Sequence, residues 1–336
     1  MTMRSLISTT DLAPAEIVGL LDDAVALRST RRELVAGRTV DATLRGRTVA
    51  LIFEKPSTRT RVSFEVGVSE LGGTPLALSS ADLQLGRGET VADTGAVLGR
   101  FVHALVVRTF AQSRLEELAK SSGLPVINAL TDEEHPCQAL ADLLTVRDAF
   151  GAFDGRVLTY VGDGNNVAHS LLLAGAAVGL GIRVAHPEGY APDTGVVADA
   201  MRLAARHGSE VTVTTDPREA AAGADALYTD VWASMGQEAE ASARAKVFAP
   251  YSLGPALVDL AADDAIVLHC LPAHRGEEIA AEVIDGPRSR VFDQAENRLH
   301  AQKAVLAMLV GGTSPGSIAR ASAGPSGGST GRGGSA

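Results

Sequence analysis

Short apolar runs alternate with stretches of helical hydrophobic spacing along most of the chain. In the first half, this pattern predicts strands at 48–53, 103–107 and 125–128 and helices at about 57–71, 113–121 and 136–150. In the second half, it predicts strands at 157–161, 182–185, 211–213, 226–228 and 265–269 and helices at about 165–180 and 296–310. Regular strand–helix alternation is typical of α/β proteins with parallel sheets.

The pattern therefore predicts an α/β fold of two doubly wound domains with parallel sheets and a closing C-terminal helix. We place the first domain at residues 1–150 and the second at 151–310, with the boundary in the glycine-containing segment 151–155. The closing helix, at about 296–310, is expected to pack back on the first domain. Residues 311–336 contain nine glycines and one large aliphatic residue, Ile318, so we expect a disordered tail.

Composition narrows the classes of partner. Aromatic residues make up only 4% of the chain, so the core must be built from Ala, Val, Leu and Ile. The formal net charge of −10 argues against nucleic acid as the main partner, and no apolar run is long enough to span a membrane. With only Cys137 and Cys270, and no signal-peptide core in residues 1–12, we expect a cytoplasmic protein without disulfides.

A group of hydroxyl and guanidinium donors lies where the first strand turns into a helix. Ser57, Thr58, Arg59 and Thr60 follow the strand directly, and Arg61 comes next. Free N–H groups at a helix start favour an anion, and arginine suits phosphate. One such residue is more often a helix cap, but four donors and two arginines together favour a phosphate site.

Two further strand ends in the first half carry polar side chains. His135 precedes the helix that begins at Pro136, and Gln138 lies one turn along, so an imidazole and an amide can polarise one carbonyl oxygen. Arg108 ends another strand at the same edge, where open α/β sheets bind ligands. Taken alone, His135 is more often a surface or capping residue, and Arg108 is as easily half of an ion pair.

The second half offers a different interpretation at its first strand end. Gly162-Asp163-Gly164 resembles a dinucleotide-binding turn, with Glu188 near the distance expected for a ribose ligand, which would indicate an NAD-dependent dehydrogenase. A lone Gly-x-Gly is weak, however, and the amides of Asn165 and Asn166 suit an amino-acid head group better.

Two later strand ends carry a carboxylate and a thiol. Asp230 can bind an ammonium group, and the following Ser234-Met235-Gly236 offers a hydroxyl and a backbone turn for a carboxylate. Cys270, in His269-Cys270-Leu271-Pro272, is either packing or a site residue, since a nucleophilic role would need an adjacent base.

Taken together, these segments resemble the ornithine carbamoyltransferases of the aspartate/ornithine carbamoyltransferase superfamily. The resemblance covers roughly residues 4–310, with the segments 57–61, 135–138, 230–236 and 269–272 in the family's order and spacing. The first two segments are shared with other transcarbamoylases, whereas Ser-Met-Gly and His-Cys-Leu-Pro point to ornithine.

The resemblance implies roles for individual residues. Carbamoyl phosphate would be bound by Ser57, Thr58, Arg59, Thr60, Gln84, Arg108, His135, Pro136, Cys137, Gln138 and Arg298, with Gln84 supplied by a neighbouring subunit. Ornithine would be bound by Asn166, Asp230, Ser234, Met235, Cys270 and Leu271. Arg59, Arg108, His135, Asp230 and Cys270 would be the catalytic residues.

The implied reaction is carbamoyl transfer from carbamoyl phosphate to the side-chain amine of L-ornithine, which gives citrulline and phosphate. It needs no metal, cofactor or covalent intermediate, and the family implies a homotrimer or a multiple of trimers. The sequence does not distinguish arginine synthesis from ornithine recovery. The alternatives are a transcarbamoylase for another amine (putrescine or an N-acylated ornithine), the dehydrogenase, and a non-enzymatic binder.

Overall fold

Two parallel sheets, one in each half of the chain, form the framework of the computed structural model. The structure describes residues 4–38, 41–79, 88–233 and 240–323. Within them, the first sheet has the order β2-β1-β3-β4, with β1 (Thr48–Phe53), β2 (Thr74–Ser79), β3 (Ala104–Arg108) and β4 (Val126–Leu130). The second sheet has the order β7-β6-β5-β8-β9, with β5 (Val157–Val161), β6 (Gly181–Ala185), β7 (Val211–Thr214), β8 (Ala226–Thr229) and β9 (Ile266–His269).

Helices cover both sheets. Those of the first half are α1 (Pro14–Val35), α2 (Thr58–Glu70), α3 (Val91–Leu98), α4 (Gln112–Ser122) and α5 (Pro136–Phe150). Those that follow are α6 (Asn166–Ala177), α7 (Thr194–His207), α8 (Pro217–Ala221), α9 (Ala241–Phe248), α10 (Pro255–Val258), α11 (Ala281–Ile284), α12 (Val291–Leu309) and α13 (Ser317–Ser322). The predicted fold class is therefore confirmed, and the predicted strands agree with the observed ones to within two residues.

The central strands are short apolar runs because they are buried on both faces. In β3 every residue is buried, and in β1 every residue after Thr48 is. Each sheet reverses its strand order beside its first strand, between β1 and β3 in one sheet and between β5 and β8 in the other. Such reversals open a crevice at the carboxyl ends of the strands.

Helix α12 connects the two halves. It begins at Val291, five residues before the predicted start, and packs against α1, α2, α5 and β9. Its buried Lys303 forms an ion pair with Glu70 of α2 at 2.9 Å, and Asn297 donates to Thr145 of α5 at 3.1 Å. The helix therefore touches the framework of both sheets, whereas the domain boundaries at 150/151 and 310/311 stay predictions.

The prediction of disorder from Gly311 onward does not hold for residues 311–323. The buried carboxylate of Asp23 accepts three backbone N–H groups at the start of α13, from Gly316, Ile318 and Ala319, at 2.8–3.0 Å. The side chain of Ile318 also packs against the main core. One carboxylate and one aliphatic side chain anchor this segment despite its low hydrophobic content. Residues 324–336 lie outside the described part.

Among the described residues, no helix combines the length and apolarity needed to cross a membrane.

Candidate active site

The carboxyl ends of both sheets face one cavity of about 670 Å³. Its walls come from the segments after β1, β3 and β4 on one side, those after β5, β8 and β9 on the other, and one side chain of α12. The predicted site residues that line it are Ser57, Thr58, Arg59, Thr60, Arg108, His135, Gln138, Asn166, Asp230, Cys270, Leu271 and Arg298. Residues from both halves therefore meet in a single cleft.

The turn from β1 into α2 forms one wall. Ser57 is the N-cap of α2, and its hydroxyl oxygen accepts from the backbone N–H of Thr60 at 3.4 Å. The capping role and the predicted ligand role thus fall on the same residue. The N–H groups of the first turn point into a site where the helix dipole favours negative charge. Local structure therefore prepares this turn for an anion.

Three guanidinium groups, those of Arg59, Arg108 and Arg298, line the same cavity. Within the described residues none of them forms an ion pair, and the Nε atom of each is buried without a hydrogen-bond partner. Burial, together with the charges of Arg298 and Arg59, lowers the pKa of Arg108 to about 10. Burial also lowers the pKa of Arg298, as does the charge of Arg59. The cavity therefore concentrates positive charge that an anion would stabilise.

His135 is the N-cap of α5, and Gln138 lies in its first turn. The backbone N–H of His135 donates to the hydroxyl of Ser170 at 2.8 Å, and Nδ1 of its ring is buried without a partner. Burial holds the pKa of His135 well below its ordinary value, and the charges of Arg298 and Arg108 lower it further. This shift favours the uncharged imidazole at neutral pH.

Two residues of the same predicted segment do not line the cavity. Pro136 and Cys137 are buried in the first turn of α5, and the thiol of Cys137 points to the carbonyl oxygen of Asn128 at 3.4 Å. Burial raises the pKa of Cys137 to about 12. These side chains support the turn from beneath.

The opposite wall is centred on Asp230. Its carboxylate accepts from the thiol of Cys270 at 2.9 Å and from the amide of Asn165 at 3.2 Å. Burial, together with the charge of Asp230, raises the pKa of Cys270 well above its ordinary value. The sulfur therefore stays a protonated donor, which disfavours a nucleophilic role. The amide of Asn166 reaches across the cleft and donates to the carbonyl oxygen of Thr131 at 2.5 Å.

The structure adds charged residues that sequence reasoning missed. Lys55 pairs with Asp132, and both line the cavity. Asp163 also lines it and pairs with the buried guanidinium of Arg244, which lies 4.7 Å from the ring centroid of Tyr190. Lys55 lies close to the segment 57–61 that was predicted to bind phosphate, so its position could have been inferred. Arg244 could not have been found from its sequence neighbours, because its partner Asp163 is 81 residues away.

The geometry of Gly162-Asp163-Gly164 does not favour a dinucleotide. A Cβ at Gly164 would lie 2.2 Å from the backbone nitrogen of Pro192, so this glycine allows the turn to pack on the chain at 191–192. Glu188 is exposed and lies outside the cavity lining. Gly164 thus serves local packing here.

Three predicted site residues, Gln84, Ser234 and Met235, lie outside the described residues. Their roles stay predictions.

Family models match nearly the whole chain. Residues 4–148 match the carbamoyl-phosphate binding domain of the aspartate/ornithine carbamoyltransferases, and residues 154–309 match the Asp/Orn binding domain of the same family. The chain belongs to the aspartate/ornithine carbamoyltransferase family.

Individual family members are similar over almost their full length. The ornithine carbamoyltransferase of Parafrankia sp. is 58% identical over 94% of this chain and 99% of its own. That of Gloeobacter violaceus is 58% identical over 91% of this chain and 96% of its own. The structure of ornithine carbamoyltransferase from Pyrococcus furiosus superposes with a TM-score of 0.88 at 50% identity, covering 93% of this chain and 98% of that one.

The depressed pKa of His135 generates a prediction. Because the folded state excludes the proton, its imidazole NMR signals should not move between about pH 8 and about pH 6, where an ordinary histidine titrates. The unfolded chain does bind that proton, so His135 should contribute a loss of stability as pH falls below about 6.5. Signals are assigned by their disappearance in His135→Gln. A titration midpoint near the ordinary value would contradict a neutral His135.

Proposed function

We propose that the protein transfers the carbamoyl group of carbamoyl phosphate to the side-chain amine of L-ornithine, releasing citrulline and phosphate. One observation carries the proposal. Three guanidinium groups and a helix start face a wall built from Asp230 and Cys270 within a single cavity. That arrangement suits an anionic donor and a cationic amino acid side by side. The identity to ornithine carbamoyltransferases supports the choice of ornithine.

The donor binds to the first half of the chain. In this proposal, the phosphate is held by Ser57, Thr58, Arg59, Thr60 and Arg108. Planar guanidinium groups bind phosphate through paired hydrogen bonds, and the N–H groups at the start of α2 add to them. The carbamoyl group then lies beside His135, Gln138 and Arg298. A bound phosphate would reduce the electrostatic repulsion among the arginines, which favours this placement of the phosphate and the carbamoyl group.

The acceptor binds to the second half. Asn166 and Asp230, with Ser234 and Met235, hold the amino-acid end of ornithine. Cys270 and the carbonyl oxygen of Leu271 lie beside its side-chain amine. Asp230 already accepts a hydrogen bond from the thiol of Cys270, which keeps its proton beside the carboxylate. A carboxylate in a partly dry pocket suits the α-ammonium group better than it suits a neutral ligand.

The chemical steps follow from charge. The side-chain amine of ornithine must lose its proton to attack, and a pocket of low polarity lowers the pKa of an amine. Attack on the carbamoyl carbon gives a tetrahedral oxyanion, which Thr60, Arg108 and His135 stabilise as preorganised donors. Thr60 keeps its hydroxyl hydrogen available because its oxygen accepts from Arg298 at 2.6 Å. The phosphate leaves while still bound to Arg59, and one of its oxygens accepts a proton.

The assembly and location extend the proposal. We propose a homotrimer, or a multiple of trimers, in which Gln84 of a neighbouring subunit completes the donor site. The two cysteines are both free, which suits a reducing compartment, and we propose the cytoplasm.

The function is tested by citrulline formation from ornithine and carbamoyl phosphate, with putrescine, N-acetylornithine and aspartate as competing acceptors. We expect ornithine to be preferred by at least ~100-fold in kcat/KM, because an unsatisfied charged group in the acceptor pocket is costly. Preference for an acceptor without a free α-amino group would refute ornithine. Reduction of NAD with any of these substrates would instead support a dehydrogenase.

The phosphate-binding role of Arg59 is tested by substitution. Arg59→Ala should lower kcat/KM by about 1000-fold or more, because it removes charge-assisted bonds to the leaving phosphate. Arg61→Ala is the matched control: Arg61 is exposed and pairs with Glu65 one turn along at 2.9 Å, so activity should stay within about twofold. Near-normal activity in Arg59→Ala, or equal losses in both variants, would contradict the assignment.

A further inference from the structure

A buried carboxylate lies directly behind the donor pocket. Asp142 is fully buried on α5, one turn after Gln138, and does not line the cavity. Its Oδ1 accepts from the side-chain amide nitrogen of Gln138 at 2.8 Å and from that of Gln294 at 2.6 Å. Within the described residues, neither amide nitrogen has another hydrogen-bond acceptor recorded. The carboxylate therefore determines where both NH₂ groups point.

The neighbours of Gln138 permit one orientation of its amide. Its oxygen accepts from Nη1 of Arg298 at 3.0 Å, while its nitrogen faces Asp142. The reversed amide would set two donors together at Arg298 and two acceptors together at Asp142, and each mismatch leaves buried polar groups unsatisfied. An amide oxygen has two lone pairs, and Arg298 uses one. The second stays free for a donor in the cavity that Gln138 lines.

We propose that Asp142 is a positioning residue that holds the Gln138 amide with its oxygen toward the carbamoyl amino group. The inference rests on the proposed function and extends it, because it explains how the pocket recognises the NH₂ of the donor. A carbamoyl group differs from an acetyl group by NH₂ in place of CH₃. An acceptor fixed at this point favours the former, whereas a freely turning amide would tolerate both.

The ionisation of Asp142 is consistent with an acceptor role. Burial outweighs the hydrogen bonds from Gln138 and Gln294 and the charge of Arg298, and the pKa of Asp142 is raised to about 7. The other titratable groups that it influences are the phenol of Tyr228 and the thiol of Cys270. Above that pKa the carboxylate is ionised and only accepts hydrogen bonds, so binding is best measured at about pH 8.

The same carboxylate reaches the acceptor wall through Gln294. The side-chain oxygen of Gln294 accepts from the backbone N–H of His269 at 2.8 Å, one residue before Cys270. Asp142 thus orients Gln138 on the donor side and Gln294 beneath the acceptor side. The test must therefore separate recognition of the carbamoyl NH₂ from a general loss of structure.

The experiment compares three ligands by calorimetry at about pH 8: phosphonoacetamide, the corresponding methyl ketone acetonylphosphonate, and inorganic phosphate. We expect the wild type to prefer phosphonoacetamide over the ketone by at least ~10-fold, the effect of one good hydrogen bond. Asp142→Leu should reduce this preference to within about twofold, with phosphate affinity changed by less than about threefold. Asp142→Asn keeps an acceptor oxygen and should retain part of the preference.

Controls isolate the role of the amide. Asp148 lies on the same helix and likewise accepts from an α12 amide, that of Asn297 at 3.0 Å, so Asp148→Leu and Asp148→Asn should leave the preference unchanged. Gln138→Leu should abolish the preference, and Asp142→Asn in that background should have no further effect. If Asp142→Leu does not fold, the comparison of Gln138→Leu with and without Asp142→Asn tests whether Asp142 acts through Gln138.

Two results would overturn the inference. One is that folded Asp142→Leu keeps the wild-type preference for phosphonoacetamide over the ketone, or that Asp142→Asn keeps it in full. The other is an equal loss of affinity for all three ligands, which would indicate a structural role alone. Failure of the wild type to bind phosphonoacetamide would instead contradict the proposed function, so the two failures are distinguishable.

Discussion

Electrostatic repulsion among Arg59, Arg108 and Arg298 is the constraint on which the site depends. Burial lowers the pKa of all three. The charges of Arg298 and Arg59 also lower the pKa of Arg108, and the charge of Arg59 also lowers that of Arg298. Like charges in a partly dry cavity are costly unless an anion joins them. In the proposed function, the anion that relieves this cost is the leaving group of the reaction. A phosphate that departs with its charge already neutralised is a better leaving group.

Helix α12 brings side chains of the two halves together at the site. It brings Arg298 from the end of the chain to Thr60 and Gln138 in the first half, and it brings Gln294 to His269 in the second. Donor and acceptor walls thus share one set of buried hydrogen bonds with Asp142 at its centre. Within this network, Oδ2 of Asp142 and Nε of Arg298 are buried without a hydrogen-bond partner among the described residues, so its other bonds determine how its members are oriented. The same network joins the two sheets at their carboxyl ends.

Local chemistry explains which features the sequence alone predicts. The strands other than β2, the start of α2 and the start of α5 follow from apolar runs, a capping serine and Pro136, all read within a few residues. Arg298 came only with the family resemblance, because its contact with Thr60 spans 238 residues. Arg244 was missed for the same reason, and for Asp142 the distant contact is that with Gln294, which spans 152 residues. The ordered structure of residues 311–323 depends on Asp23, nearly 300 residues earlier, so no local sequence pattern predicts it.

In the proposed function, one cleft binds the anionic donor and the amino-acid acceptor together, at bonding distance. Calorimetry with L-ornithine carrying a phosphonoacetyl group on its side-chain nitrogen tests this most directly. If both walls are engaged at once, this ligand should bind at least ~100-fold more tightly than phosphonoacetamide, and more tightly than its D-ornithine counterpart. Affinity no greater than that of phosphonoacetamide, for both enantiomers, would contradict a shared cleft.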